Sequence, residues 1–175
     1  MAATILFAPL FGALICGMFW RIIGEAAALW TATVFMISTA VLSWIALLAY
    51  DGTADVAPLL RWIESGTLST ELSIRTDQLS GVMTAVITTI SALIHLCSFG
   101  FMSKEDHFAA GVIHRPRFFA FLSFLTFAML ILIASDNLVQ LFLGWQGVFL
   151  ATYLLVGYYH KKPSATAAAI KVIIF

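Results

Sequence analysis

The chain reads as an all-α, polytopic transmembrane bundle of five full spans plus a truncated sixth, with a short strand or hairpin in one connecting loop. Three observations give that class. Of 175 residues, 62% are hydrophobic and only 10% are charged, whereas a soluble domain carries roughly 25% charged residues. Mean hydropathy is +1.01, more apolar surface than a core of this size can absorb, so much of it must face lipid. The apolar residues also come in uninterrupted runs, and about 20 helical residues cross the ~30 Å hydrocarbon layer.

The elements follow in order. The first span is expected over Thr4–Trp20 and contains Pro9, tolerable where neighbouring helices satisfy the freed carbonyl. Its leading residues, MAATILFAPL, lack the positive region of a signal peptide, so the span is expected to be retained. The second runs over Ala27–Tyr50. The connection Asp51–Gln78 is long, polar and acidic, and after Gly66 the stretch TLSTELSIRTD alternates apolar and polar residues, the pattern of a strand or of half a hairpin. Tyr50 and Trp62 are expected interfacial anchors. The third span covers Leu79–Met102 and the fourth, at the short end of the range, Phe118–Ala134. Ser135-Asp136 is a tight turn into the fifth, Asn137–Tyr159. A sixth run begins near Ser164 and reaches Phe175, only about 18 Å of helix. Its end, left in hydrocarbon, has three readings: the chain is a shortened copy, a second polypeptide completes the helix, or the segment lies at the interface. With no repeat and no low-complexity tract, residues 1–175 are expected to form a single membrane domain.

Charge sets the expected orientation. The first, third and fifth connections carry Arg21, Lys104, Arg115, Arg117, Lys161 and Lys162, whereas the other side carries Arg61 and Arg75. The positive-inside rule then places the N-terminus and the 51–78 loop outside. Zero net charge and the lack of a basic stripe argue against nucleic acid. Cys16 and Cys97 both fall in apolar runs and are expected to be free thiols packed as small hydrophobes. There is no P-loop, dinucleotide fingerprint or nucleophile elbow, and no histidine pairing or cysteine spacing for haem, zinc or an iron–sulfur cluster, so no cofactor or metal is expected.

Four residues are candidates for a proton path. Gln146 lies near the middle of a span without charges, where an unpaired polar group is costly; the alternative is a glutamine bonded to a neighbouring helix purely as glue. His95 lies within the third span and can titrate near neutral pH, against the alternative of a ring satisfied by a carbonyl or hydroxyl. Asp136 is the third candidate, against the alternative that Ser135 or Asp136 simply caps the fifth helix. Lys171 sits about 10 Å into the sixth run, where it either exchanges protons or snorkels to the surface.

Taken together, Ser135-Asp136-Asn137-Leu138, Leu143-Gly144-Trp145-Gln146-Gly147-Val148, Tyr153-Leu154-Leu155-Val156-Gly157, Pro163-Ser164-Ala165 and Ala167-Ala168-Ala169-Ile170-Lys171 resemble subunit 5 (chain L) of respiratory complex I, the antiporter-like membrane subunit of proton-pumping NADH:quinone oxidoreductase. Ile94-His95 with Ser98, Gly100 and Met102, Arg117-Phe118-Phe119-Ala120, Trp20-Arg21 and Asp77-Gln78-Leu79 are similar to the same family. The likeness covers essentially the whole chain but only the N-terminal part of the family's longer polypeptide. It implies an integral protein of the bacterial plasma membrane or mitochondrial inner membrane, partnered by other membrane-arm subunits and carrying no redox centre or NADH site of its own. It further implies a glutamate at the position of Gln146, working with lysines on neighbouring helices, of which Lys171 matches the one on the sixth. Glutamine hydrogen-bonds but exchanges no proton. Cys97 and Phe101 stand where the family commonly has tyrosines, and Phe149 is bulkier than its usual small residue. Two other readings stay open: a subunit of a multisubunit cation/proton antiporter, which shares the helix pattern, and an inactive remnant or assembly scaffold.

Overall fold

The computed structural model describes residues 1–65, 68–103, 115–159 and 163–174. Five helices are long and apolar enough to cross a membrane, over Ala2–Ile23, Glu25–Leu48, Gln78–Met102, Arg115–Ile133 and Leu138–Tyr159. They match the expected spans to within a few residues at each end. The first span is helix α1 (Ala2–Leu14), a π-helical turn (Ile15–Phe19) and the single turn α2 (Trp20–Ile23). Pro9 lies inside α1 and is fully buried. Gly24, at φ 94°, breaks the chain before α3 (Glu25–Leu48), a backbone angle that favours glycine. Helices α4 (Gln78–Ser103), α5 (Arg115–Ile133), α6 (Leu138–Val156) and α7 (Pro163–Ile174) follow.

Between α3 and α4 the chain forms a two-stranded antiparallel sheet, β1 (Asp55–Ser65) paired with β2 (Leu68–Thr76). Sequence alternation foresaw β2. Its partner β1 carries Pro58, and the pairing register shifts between Pro58 and Leu60 and again between Arg61 and Ile63. Proline donates no ladder hydrogen bond and belongs at edges and bulges. That is why DVAPLLRWIES did not read as a strand. The side chain of Trp62, expected as an anchor, and the residues Lys104, Lys161 and Lys162 lie outside the described set.

Helices α1, α3, α4 and α5 form a cluster in which α1 packs on α3 and α5, and α4 packs on α3 and α5. Helix α6 lies against α5, and α7 against α6. Small residues permit the close approaches: Gly12 of α1 faces the Ala32 Cα, which a Cβ there would meet at 3.6 Å. At one end of the bundle Leu6, Ile74, Leu130 and Ala134 form a buried cluster, bringing the start of α1, strand β2 and the end of α5 together. At the opposite end Cys16, Ala28, Ala32, Met102 and Phe119 pack with Trp20, Phe99 and Tyr158. Cys16 is a free thiol buried as expected and donates to the Ala28 carbonyl at 2.9 Å. Cys97, also free, is exposed on α4 rather than packed in the core.

The start of α6 differs from expectation. Neither Ser135 nor Asp136 caps it. The cap is Asn137, whose side-chain oxygen accepts from the Gln140 N–H at 2.8 Å. Ser135 Oγ donates back to the Leu132 carbonyl, and Asp136 pairs with Arg75 (Nη1 to Oδ1, 3.6 Å). Asn137 also donates from Nδ2 to the Glu71 carbonyl at 2.6 Å. Asn137→Ala therefore loses a cap and a tether to β2. It is expected to cost about 1–2 kcal/mol, read as a lower unfolding midpoint in detergent.

Candidate functional site

Helix α5 has two faces of different chemistry, and they divide the candidate residues. Toward α4 it presents Phe119, Ser123 and Thr126, all buried. Toward α6 it presents Ala128 and Leu132, the residues nearest to Gly147 and Gly144. At about 100° per residue these two sets lie on opposite sides of the helix.

The α4 side is a buried polar seam. Thr88, Ser91, His95 and Ser98 recur at helical spacing along α4 and are all buried. Thr88 Oγ1 and Ser43 Oγ of α3 are hydrogen-bonded at 2.7 Å. Ser91 Oγ is hydrogen-bonded to Thr126 Oγ1 of α5. One turn further on, His95 has no exposed surface. Its Nδ1 lies 2.8 Å from the Ser91 carbonyl, and its Nε2 lies 3.0 Å from Ser123 Oγ. A carbonyl only accepts, so Nδ1 carries a proton, and in the neutral ring Nε2 accepts from the serine. Phe119 meets the imidazole edge-on at 5.7 Å. Leftover hydroxyl protons turn to backbone carbonyls, as Thr126 does to Leu122 and Ser43 to Ala40. Every polar group named in this seam has a partner, which is what makes its burial affordable in lipid. Sequence reading singled out His95 and missed its company. The signal was there: polar residues at i, i+3, i+7 and i+10 in an otherwise apolar span.

Gln146 lies on the other side of α5 from this seam. Gly144, Gly147 and Ala151 form the face of α6 that packs on α5. A Cβ on Gly144 would fall 2.7 Å from the Leu132 backbone nitrogen, and Ala151 is fully buried. Two residues beyond Gly144, Gln146 is turned about 200° from that contact. It is exposed, along with Phe142, Trp145 and Leu150, and makes no hydrogen bond among the described residues. Of the most apolar stretch of each span, 17% is buried in α6, against 33–44% in the others. The polar group at mid-span thus sits on the least covered helix face. Leu138 to Gln146 is about 12 Å of helix, which keeps it deep.

Lys171 is likewise exposed. Ala169, buried beside Gly157, marks where α7 touches the end of α6, and Lys171 points about 200° away from it. Asp136 stands at the hairpin end. Arg75 donates to Asp77 (Nε to Oδ2, 3.2 Å) and faces Asp136. Asp77 accepts from the Ser80 N–H at 2.7 Å while Ser80 Oγ accepts from the Asp77 N–H at 2.8 Å, a reciprocal cap on α4. The Ser80 backbone N–H holds the Asp77 carboxyl below the ordinary carboxylate range. The four candidates are therefore not one constellation: His95 is inside the bundle, Gln146 and Lys171 are on uncovered faces, and Asp136 is at one end. Among the described residues no three His, Cys, Asp or Glu side chains are grouped to hold a metal.

Five helices long and apolar enough to cross a membrane, with a small antiparallel sheet at one end, define an integral, polytopic helical membrane protein. Residues 62–119 match the family described as NADH-ubiquinone oxidoreductase (complex I), chain 5 N-terminus, and residues 135–175 match NADH:quinone oxidoreductase/Mrp antiporter, TM. The chain is 50% identical over 171 residues to NADH-quinone oxidoreductase subunit L of Rhodobacter capsulatus, covering 98% of this chain and 24% of the relative. It is 39% identical over 176 residues to NADH-ubiquinone oxidoreductase chain 5 of Metridium senile (98% and 28%). Against the chain 5 protein of Arabidopsis thaliana it is 40% identical over 174 residues (98% and 25%). The chain belongs to the subunit L (chain 5) family of complex I, and it spans about a quarter of the length of these relatives.

Proposed function

We propose that this chain contributes part of a membrane-arm proton channel coupled to NADH:quinone oxidoreduction, together with other membrane-arm subunits, and that by itself it pumps no protons. Quinone reduction elsewhere in the assembly shifts charge along the polar axis of the membrane arm, and groups on the antiporter-like unit exchange partners as a proton moves. The observation that carries this reading is Gln146, a carboxamide at mid-membrane on the α6 face turned away from α5. Gln146 supplies a hydrogen-bonding group on the uncovered face of α6, and Lys171 a charged group on that of α7. His95 supplies a titratable ring held between α4 and α5, whose Nε2 can take a proton if Ser123 rotates from donor to acceptor. Asp136, paired to Arg75, stands at the mouth.

Orientation follows from charge. Arg21, Arg115 and Arg117 belong to the end away from the hairpin, and Arg61 and Arg75 to the hairpin itself. The positive-inside rule supports an N-terminus and hairpin on the outer side.

Affinity isolation of the tagged chain from its own membranes in mild detergent tests the assignment. NADH:quinone oxidoreductase activity is expected to co-isolate. Isolation with a cation/proton antiporter assembly that oxidises no NADH would favour the antiporter reading, which the second family description also spans. Recovery of the chain with no partner would favour a remnant.

A further inference from the structure

Strand β2 has β1 on one edge only, and its other edge is closed by the α5–α6 turn and the first turn of α6. In an antiparallel pair every second residue turns its N–H and C=O away from the partner strand. Glu71, Ser73 and Arg75 do so here. The Arg75 N–H donates to the Ala134 carbonyl at 2.9 Å, and the Glu71 carbonyl accepts from Asn137. Between them, Gln140 meets Ser73 with both ends of its carboxamide. Oε1 accepts from the Ser73 N–H at 3.0 Å, and Nε2 donates to the Ser73 carbonyl at 2.8 Å. A side-chain amide thus takes the place of a peptide in a third strand. Gln140 is 3% exposed and Ser73 is 4% exposed, so neither bond is exchanged cheaply for water.

We propose that Gln140 is a positioning residue for the α6 face: it sets the rotation and depth of α6 against the hairpin, and thereby where Gln146 points. A bond pair at one azimuth and one height fixes both degrees of freedom of a helix. Gln146 lies about 9 Å further along the axis and about 240° round it. Asn137 ties the start of α6 to the Glu71 carbonyl, and Gln140, one turn further on, adds a buried second point that fixes the rotation of the helix body. The functional weight of this placement rests on the proposed role of Gln146.

The test uses the whole chain in nanodiscs with 5-fluorotryptophan, the Trp145 signal being assigned with Trp145→Phe, and with amide exchange read at Ser73. Gln140→Met keeps length and packing but loses both bonds. It is expected to speed Ser73 exchange on the order of tenfold or more and to shift the Trp145 fluorine resonance at unchanged helix content. Gln140→Glu keeps an acceptor for the Ser73 N–H and loses the donor, so it should fall between the two, and it decides the matter if Gln140→Met does not fold. An unmoved Trp145 signal in both variants, or unchanged Ser73 exchange in Gln140→Met, overturns the proposal. Protons translocated per NADH in vesicles separate the two levels. A fall in Gln140→Met at unchanged NADH turnover is expected. No fall there, with a clear response to Gln146→Glu, counts against positioning. No response to either substitution, with the Ser73 and Trp145 changes present, defeats the functional reading and leaves the placement intact.

Discussion

Gly144→Ala is expected to destabilise the folded bundle by about 1–3 kcal/mol, the cost typical of overpacking, and Gly144→Leu to prevent α6 from docking on α5. The added Cβ would sit 2.7 Å from the Leu132 nitrogen and 2.8 Å from its Cα. Both are backbone atoms, so no rotamer change relieves the clash and the helices must part. Parting them also undoes the neighbouring contact at Gly147, whose Cβ would come within 3.0 Å of the Ala128 side chain. In lipid, helix association rests on such close packing, with no hydrophobic drive to replace it. Gly100 is the control. It is helical, and a Cβ there meets nothing within 4 Å among the described residues, so Gly100→Ala should be neutral or stabilising by up to about 1 kcal/mol through reduced backbone entropy. Unfolding in detergent followed by circular dichroism separates the two. Equal midpoints for Gly144→Ala and the unaltered chain would show that α6 is not held to α5 as described.

His95→Ala is expected to cost about 2–4 kcal/mol, from a cavity of ring size together with a buried serine left without its partner. Ser123→Ala should cost about 1 kcal/mol, and the double variant less than the sum, because both changes remove the same bond. His95→Gln should recover part of the loss, since a carboxamide can accept from Ser123. The same unfolding assay reads all four variants. Strict additivity would mean that the imidazole and Ser123 do not interact.

The helices were legible because composition and run length suffice for a membrane span. Gly66 and the alternation after it exposed β2, whereas Pro58 and two register shifts concealed β1. At the turn into α6 the sequence pointed to Ser135 or Asp136 as the cap, and the cap is Asn137. The partners of these residues are distant in sequence: Asn137 also bonds the Glu71 carbonyl and Asp136 pairs with Arg75, both in the hairpin. Depth along α6 could be counted for Gln146, but its direction could not. That required knowing that the Gly144–Gly147–Ala151 stripe, present in LGWQGVFLA, meets α5 and not some other helix. Gln140 passed unnoticed for the same reason. Near a helix end a glutamine attracts no attention, and its partner Ser73 lies in a separate element 67 residues away.

The central claim concerns mid-membrane chemistry: the α6 face carries a group that hydrogen-bonds but does not ionise, where the family resemblance calls for a carboxylate. The most direct measurement is protons translocated per NADH oxidised in membrane vesicles, with the chain unaltered and as Gln146→Glu. The account predicts a higher ratio for Gln146→Glu at equal NADH turnover, because an ionisable group then faces the proposed path. An identical ratio in the two preparations would contradict it.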